Sequence, residues 1–276
     1  IRMGAAVAGG EEEFKKRPLI TMIVLTVPPL NNDTDVIESV LEALKYNIQI
    51  RISTGTMAGD STPASLAGLI AQGNAEALSW LVLVQLINPG NEFVLGQNPR
   101  IMDMRYGTVS LSSPEWALMR GALGDLGRFY NLPIQAFQQV TAAKVIDAQA
   151  GYEKTMTGLM SGLGGLNVAM GNIMDSQNLC YSSDYPFTNE IIGAIRRILR
   201  GFEVNEETLA VDLVDEIAHK RDYMRTKHTM KHYKENWMPT LLERRMWQEW
   251  HDDGEKDMWD RLVERAEDIL ANHKVE

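Results

Sequence analysis

The sequence predicts an α/β fold built on a parallel sheet or a (β/α) barrel. Strand-like and helix-like stretches alternate about every 35–45 residues, the rhythm of repeated βαβ units. The strand-like runs are apolar almost throughout, as expected of parallel strands covered on both faces. Several of them run out into polar turns that feed a helix, the half-unit on which α/β enzymes build sites.

Taken in order, IRMGAAVAGGEEEFKKRP reads as a helix ending near Pro18. Leu19 to Val27 is the first apolar strand, closed by Pro28-Pro29. Asn32 or Asp33 caps a helix from Asp35 to Tyr46, which carries Val36, Val40, Leu41 and Leu44 on one face. Ile48 to Thr54 is the second strand. A small-residue turn then leads into a long apolar helix from about Pro63 to Leu86, and such turns let backbone approach a ligand closely. Asn91 to Gly96 is the third strand. The Met-rich stretch after it, as far as Trp116, reads as a long loop, and loops of that length inside an α/β unit are often functional. Ser113-Pro114-Glu115 starts a helix that ends near Tyr130. Leu132 to Phe137 is the fourth strand, followed by a polar turn and a helix from Ala148 to Leu163. Gly165 to Asn172 is the fifth strand. Helices follow at 189–200 and 205–218, and the tail from Arg221 is amphipathic and Trp-rich. These five strands compare with the eight of a closed barrel.

The chain has 276 residues, enough for one large α/β domain or two small ones. A net charge of −10 argues against a nucleic-acid-binding face, which has to be basic. The single cysteine, Cys180, excludes an internal disulfide framework and suits a reducing cytoplasm. The most apolar run, Leu78 to Ile87, is too short to span a bilayer, and no signal peptide opens the chain. No membrane partner is therefore expected.

CxxC, GxGxxG, GxxxxGK[ST] and GxSxG are all missing. His228 and His232 have the i, i+4 spacing of paired zinc ligands. The glutamate of HExxH is absent, however, and no third ligand is evident, so a charged amphipathic helix accounts for them and no metal ligand is expected. Met102, Met104 and Tyr106 read either as loop packing or as a soft cage for a methylammonium. Lys144 and Asp147 read as an exposed ion pair beside a helix start. On these grounds alone the chain is an α/β enzyme-like domain with polar loops at its strand ends.

Several segments together resemble a known family. They are AAVAGGEEEFKKRPL, PPLNNDTDVIESVLEALKYNIQI, MAGDSTPASLAGLIAQGNAEAL, VQLINPG, MDMRYGT, AAKVIDAQAGYEK, ILRGFEVNEETLAVDLV and HTMKHYKENWMP. In this order they resemble the trimethylamine methyltransferase (MttB-type) family, corrinoid-dependent methyltransferases on a TIM (β/α)8 barrel. The resemblance covers almost the whole chain and is to the C-terminal part of the family. It implies that this chain supplies about five β/α units plus C-terminal helices, with roughly three units lying upstream of Ile1. On that reading residues 1–218 form the barrel portion and 219–276 a helical extension. With no nonstandard residue marked near the turn after the fourth strand, the chain is similar to the non-pyrrolysine branch, whose members act on quaternary amines such as glycine betaine.

The resemblance implies transfer of a methyl group from a quaternary or tertiary methylamine to the Co(I) of a corrinoid protein. The cofactor is carried by that partner and none is bound tightly by this chain. The barrel's work is then positioning, desolvation and charge complementarity. Placed at strand ends, Gln138, Lys144 and Asp147 are expected to be catalytic. Gln97, Met102, Arg105, Tyr106, Gln135, Phe137, Asn172 and Asp175 are expected to bind substrate. Tyr106 and Phe137 would face the cationic head, and Arg105 or Lys144 would hold a carboxylate. A cytoplasmic homo-oligomer is expected. The turn departs from the family's usual SDAK or TDSK, reading TAAK with Ala142 and Ala143. That departure supports an alternative reading, a half-barrel partner or quaternary-amine-binding protein without turnover.

Overall fold

The apolar runs pair side by side and in parallel, and the helices between them cover the sheet. The computed structural model describes residues 1–217 and 222–274. The chain forms two units, Ile1–Asp184 and Tyr185–Glu276.

In the first unit, the opening helical segment is two short helices, α1 (Arg2–Ala8) and α2 (Glu11–Lys16). Gly9 and Gly10 separate them with φ of 90° and 131°, conformations that only glycine adopts without strain. There follow β1 (Thr21–Leu25), α3 (Thr34–Leu44), β2 (Gln49–Ser53), β3 (Met57–Ala58), α4 (Leu66–Ile87) and β4 (Phe93–Gly96). Then come β5 (Arg100–Asp103), β6 (Thr108–Ser110), α5 (Pro114–Tyr130), β7 (Ile134–Val140), α6 (Ala148–Gly164) and β8 (Val168–Ile173). Asp33, Ser65, Ser113 and Asp147 each start a helix by accepting a backbone N–H in its first turn.

The main sheet runs β1-β2-β4-β7-β8, and every neighbouring pair is parallel. Against it packs a core that includes Phe14, Val40, Ile50, Ile52, Trp80, Val84, Leu95, Leu123 and Ile134. Burying each such large side chain contributes about 1.5–3 kcal/mol before entropy is subtracted. A second cluster of Leu69, Leu111, Trp116, Met119 and Val140 draws on segments near the carboxyl ends of the strands. The other face of β1 is open, with Ile23 45% and Leu25 61% exposed while Val24 between them is buried.

The stretch expected to be a long loop folds instead. β5 and β6 form an antiparallel hairpin, Met102 opposite Val109, and β3 pairs in parallel with β5. Strands of four and three residues are too short to show an alternating pattern in sequence, so only the pairing partner reveals them. Gly107, at φ 64°, makes the turn.

By length and composition α4 could cross a membrane. In this unit it contributes Ala77, Trp80 and Val84 to the core. Its buried Glu76 accepts from Thr26 Oγ1 at 2.8 Å and from the Leu30 N–H at 3.0 Å, tying the loop after β1 to the helix.

The second unit is helical: α7 (Asp184–Arg200, its first residue in the first unit), α8 (Glu206–Leu209), α9 (Val211–Ile217), α10 (Lys227–His232), α11 (Trp247–Asp252) and α12 (Met258–Asn272). Phe187, Ile191 and Ile195 form a buried i, i+4, i+8 stripe on α7, and Leu241, Leu262 and Ala266 are also buried. The Glu190 carboxylate accepts from the Thr240 N–H and hydroxyl and from the Leu241 N–H, at 2.7 to 3.1 Å. The helix expected at 205–218 is broken at Ala210, which has φ 49°. Its expected end at Ala218, the expected division at 218/219 and the start of the tail at Arg221 lie outside the described residues.

Candidate functional site at the carboxyl ends of the strands

A cleft of about 1250 Å³ opens where the segments following β2, β4, β7 and β8 converge. Its walls include Leu66 at the start of α4, Arg105 and Tyr106 at the hairpin tip, Ser113 and Glu115 at the start of α5, Lys144 after β7, Tyr152 and Glu153 on α6, and Asp175 after β8. Among these lining residues stand four carboxylates (Asp103, Glu115, Glu153, Asp175) against two fixed cations (Arg105, Lys144), so the cleft favours positive charge.

The TAAK turn is held by α6. Thr141 donates to Glu153 Oε2 at 2.5 Å, the Ala142 N–H donates to the same oxygen at 2.8 Å, and Gln149 Nε2 donates to Oε1 at 3.0 Å. The turn in turn holds the segment after β8, through Asp175 N–H to the Ala143 carbonyl and Ser176 N–H to the Thr141 carbonyl. Around these strand ends, non-glycine residues take positive φ: Gln139 (53°), Asn172 (85°), Asp175 (45°), Ser176 (51°) and Gln177 (90°). Such conformations cost about 1–3 kcal/mol each and cluster where a structure positions functional groups.

Buried charges brace the site from behind. The Lys154 ammonium lies 2.5 Å from Asp184 Oδ1 with both side chains fully buried, and it also donates to Asn172 Oδ1 at 3.2 Å. Burial pushes the Lys154 pKa down, and the Asp184 carboxylate opposes the shift. Arg120, wholly enclosed, has its pKa pushed down to about 9 by burial alone. It lies over the Trp116 ring at 3.8 Å and donates to the carbonyls of Trp116, Phe137 and Pro99, fastening the approach to the hairpin onto β7.

Of the residues expected at the site, the cleft brings together Arg105, Tyr106, Lys144 and Asp175. Arg105 forms an ion pair with Asp103 at 2.7 Å and lies 5.4 Å from the centre of the Tyr106 ring. Lys144 pairs with Asp175 at 2.9 Å and not with Asp147 as expected, because Asp147 caps α6, accepting from the Gln149 and Ala150 N–H groups. Gln97 is 1% exposed and turned towards Gly73 of α4, where a Cβ would come within 2.7 Å of its Oε1. Gln135 accepts from Arg51 Nε at 2.8 Å and donates to the Ile52 carbonyl at 2.9 Å, within the sheet. Phe137 packs against the second core cluster, Met102 is half-buried on β5, and Gln138 is half-buried on β7 beside Gly171. Asn172 meets Lys154 as described.

Sequence reasoning missed Glu115, Tyr152, Glu153, Lys154, Asp184 and Arg51. Glu153 had one local signal, its i, i+4 spacing from Gln149. The Lys154–Asp184 and Arg51–Gln135 pairs join residues 30 and 84 positions apart and had none.

Comparison with known proteins shows the family. The family model for trimethylamine methyltransferase (MTTB) matches residues 1–275. The trimethylamine methyltransferase MttB of Methanosarcina barkeri is 34% identical over 274 residues, covering 98% of this chain and 55% of that protein. The glycine betaine methyltransferase of Desulfitobacterium hafniense is 30% identical over 277 residues, covering 99% of this chain and 57% of that protein. The chain thus spans about half the length of the curated relatives it matches. With a match that runs from one end of the sequence almost to the other, the chain belongs to the trimethylamine methyltransferase family.

Proposed function

We propose that the chain carries the substrate-binding half of a methyltransferase that moves a methyl group from a quaternary or tertiary methylamine to a corrinoid held by a partner protein. The observation that carries this reading is the cleft: an excess of carboxylates, two tyrosine rings and two cations share one opening at the strand ends. Tyr106 and Tyr152 offer faces to a methylated cation, and Glu115 and Glu153 offset its charge. The Lys144 and Arg105 side chains are both largely exposed beside their carboxylate partners, so a substrate carboxylate can join those pairs. A betaine, with a cation at one end and a carboxylate at the other, satisfies both walls.

The opening suits a cofactor delivered from outside, since Tyr106 at the hairpin tip is 74% exposed. The corrinoid supplies the nucleophile. This chain's residues hold the ammonium, orient one N-methyl group towards the mouth and exclude water from around it. A quaternary nitrogen leaves as a neutral amine and needs no general acid, consistent with alanines at 142 and 143 of the turn.

We read the five parallel strands as part of a (β/α)8 barrel. The open edges at β1 and β8 and the exposed Ile23 and Leu25 support that reading, since further strands between those edges would close the sheet over them.

The test is incubation of the chain with reduced corrinoid protein and, separately, glycine betaine, proline betaine, carnitine or trimethylamine, with the demethylated amine followed by mass spectrometry. Product from a betaine is the expected result. Calorimetric binding of a betaine without product would instead support the reading as a binding protein without turnover, and neither binding nor product would overturn both.

A further inference from the structure

The strongest unexplained cluster lies in the second unit. His228 and His232 leave the same face of α10, their ring centroids 4.3 Å apart. Glu207, on α8, comes up against that face, so that one ligand atom from each of the three lies within 4.8 Å of the other two. This is the third ligand that the local sequence around the histidines lacks. It comes from a separate helix 21 residues upstream of His228.

Two further features resemble a prepared centre. His232 points Nε2 at Glu207 Oε1, 2.9 Å away, while its Nδ1 is 2.6 Å from Glu235 Oε1. A carboxylate on the rear nitrogen of an imidazole is what fixes the tautomer and orientation of a metal-bound histidine. His228 Nε2 is buried and has no hydrogen-bond partner, an arrangement that calls for an occupant.

We propose that Glu207, His228 and His232 bind a first-row divalent cation of the zinc type. Two imidazoles and one carboxylate form a recognised donor set for that ion, leaving a fourth position for water. Bonds of about 2.0–2.1 Å in tetrahedral geometry bring donors to roughly 3.3 Å from one another, so the cluster closes inward on binding. The exposed Glu207 side chain has the freedom to do this. The competitor is Lys231, whose Nζ lies 2.7 Å from the same Glu207 oxygen; its side chain is 61% exposed and can withdraw into water. Arg197 and Arg200 nearby donate to the carbonyls of Gly201 and Glu235 and do not contest the carboxylate. The ion would tie α8 to α10, helices of four and six residues, far below the roughly 12–15 at which an isolated helix holds together in water.

The experiment takes the full chain, freed of metal by chelator, and titrates it calorimetrically with zinc, with bound metal counted by mass spectrometry after gel filtration. One ion per chain is expected. Affinity should fall at least ~10-fold in His228→Gln and in Glu207→Gln, and stay unchanged in His251→Ala, a histidine on α11. Substitution of cobalt(II) into the unaltered chain gives a reading independent of variant folding, and intense visible bands of a four-coordinate ion are expected. No retained zinc, binding that survives both ligand variants, binding lost with His251, or only the pale spectrum of hydrated cobalt would each overturn the assignment. None of these readouts depends on methyl transfer.

Discussion

Burying a lysine ammonium costs several kcal/mol unless a carboxylate meets it with good geometry, and Lys154 meets Asp184 in that way. Lys154→Met should therefore destabilise the chain by about 3–5 kcal/mol in urea unfolding, because Asp184 is left charged and enclosed. Adding Asp184→Asn should restore most of the loss. A single variant as stable as the unaltered chain would show that the pair is not buried in solution. Glu153 acts on the turn in a comparable way. Glu153→Ala strands the Thr141 hydroxyl and the Ala142 N–H, at a cost of about 1–3 kcal/mol, and a thermal melt together with methyl-transfer assays should show both stability and turnover falling. At the mouth of the cleft, Lys144→Ala should raise the KM for a betaine about tenfold and leave that for trimethylamine, which has no carboxylate, unchanged. Equal effects on the two substrates would remove Lys144 from carboxylate recognition. The sequence showed Lys144 as a charged residue on a turn, but its partner Asp175 sits on another strand end, 31 positions away, and only folding brings it there.

Among the elements, the helices were the most legible. Caps such as Asp33 and Ser113 begin helices where short polar side chains precede an apolar stripe, a signal contained within a few adjacent residues. Asp147 is one of these caps, and Asp147→Ala should cost about 1 kcal/mol of stability by chemical denaturation through loss of its two N–H bonds. The hairpin of β5 and β6 was illegible because each strand is stabilised by its partner more than by its own composition. The contact between α5 and α6 was equally hidden. A Cβ on Gly124 would lie 1.7 Å from the Gly164 carbonyl oxygen, so these helices touch backbone to backbone. Gly124→Ala should force them apart and cost at least about 1–3 kcal/mol, read as a lowered Tm.

At the scale of the molecule, the first unit has a continuous core between sheet and helices, whereas the second rests on few buried apolar residues and several helices of four to seven residues. Amide exchange should accordingly be slowest in β2 and β4, whose ladder is covered, and fastest in α8 and α10. Added zinc should slow exchange in α8 and α10 selectively if the three-residue cluster holds the ion.

The sequence by itself determined the alternation of strand and helix, the parallel character of the five main strands and the region where polar turns gather, since each depends on periodicity and on residues near one another in the chain. It also carried the family, because family membership lies in the order of many short segments. The tertiary structure alone decided which side chains meet. It turned Gln97 towards α4, made Asp147 a cap, set Asp175 rather than Asp147 against Lys144, enclosed Lys154 with Asp184 and brought Glu207 to the two histidines. Those partnerships join residues tens of positions apart, and the packing of sheet against helix and of helix against helix, not local preference, sets their distances.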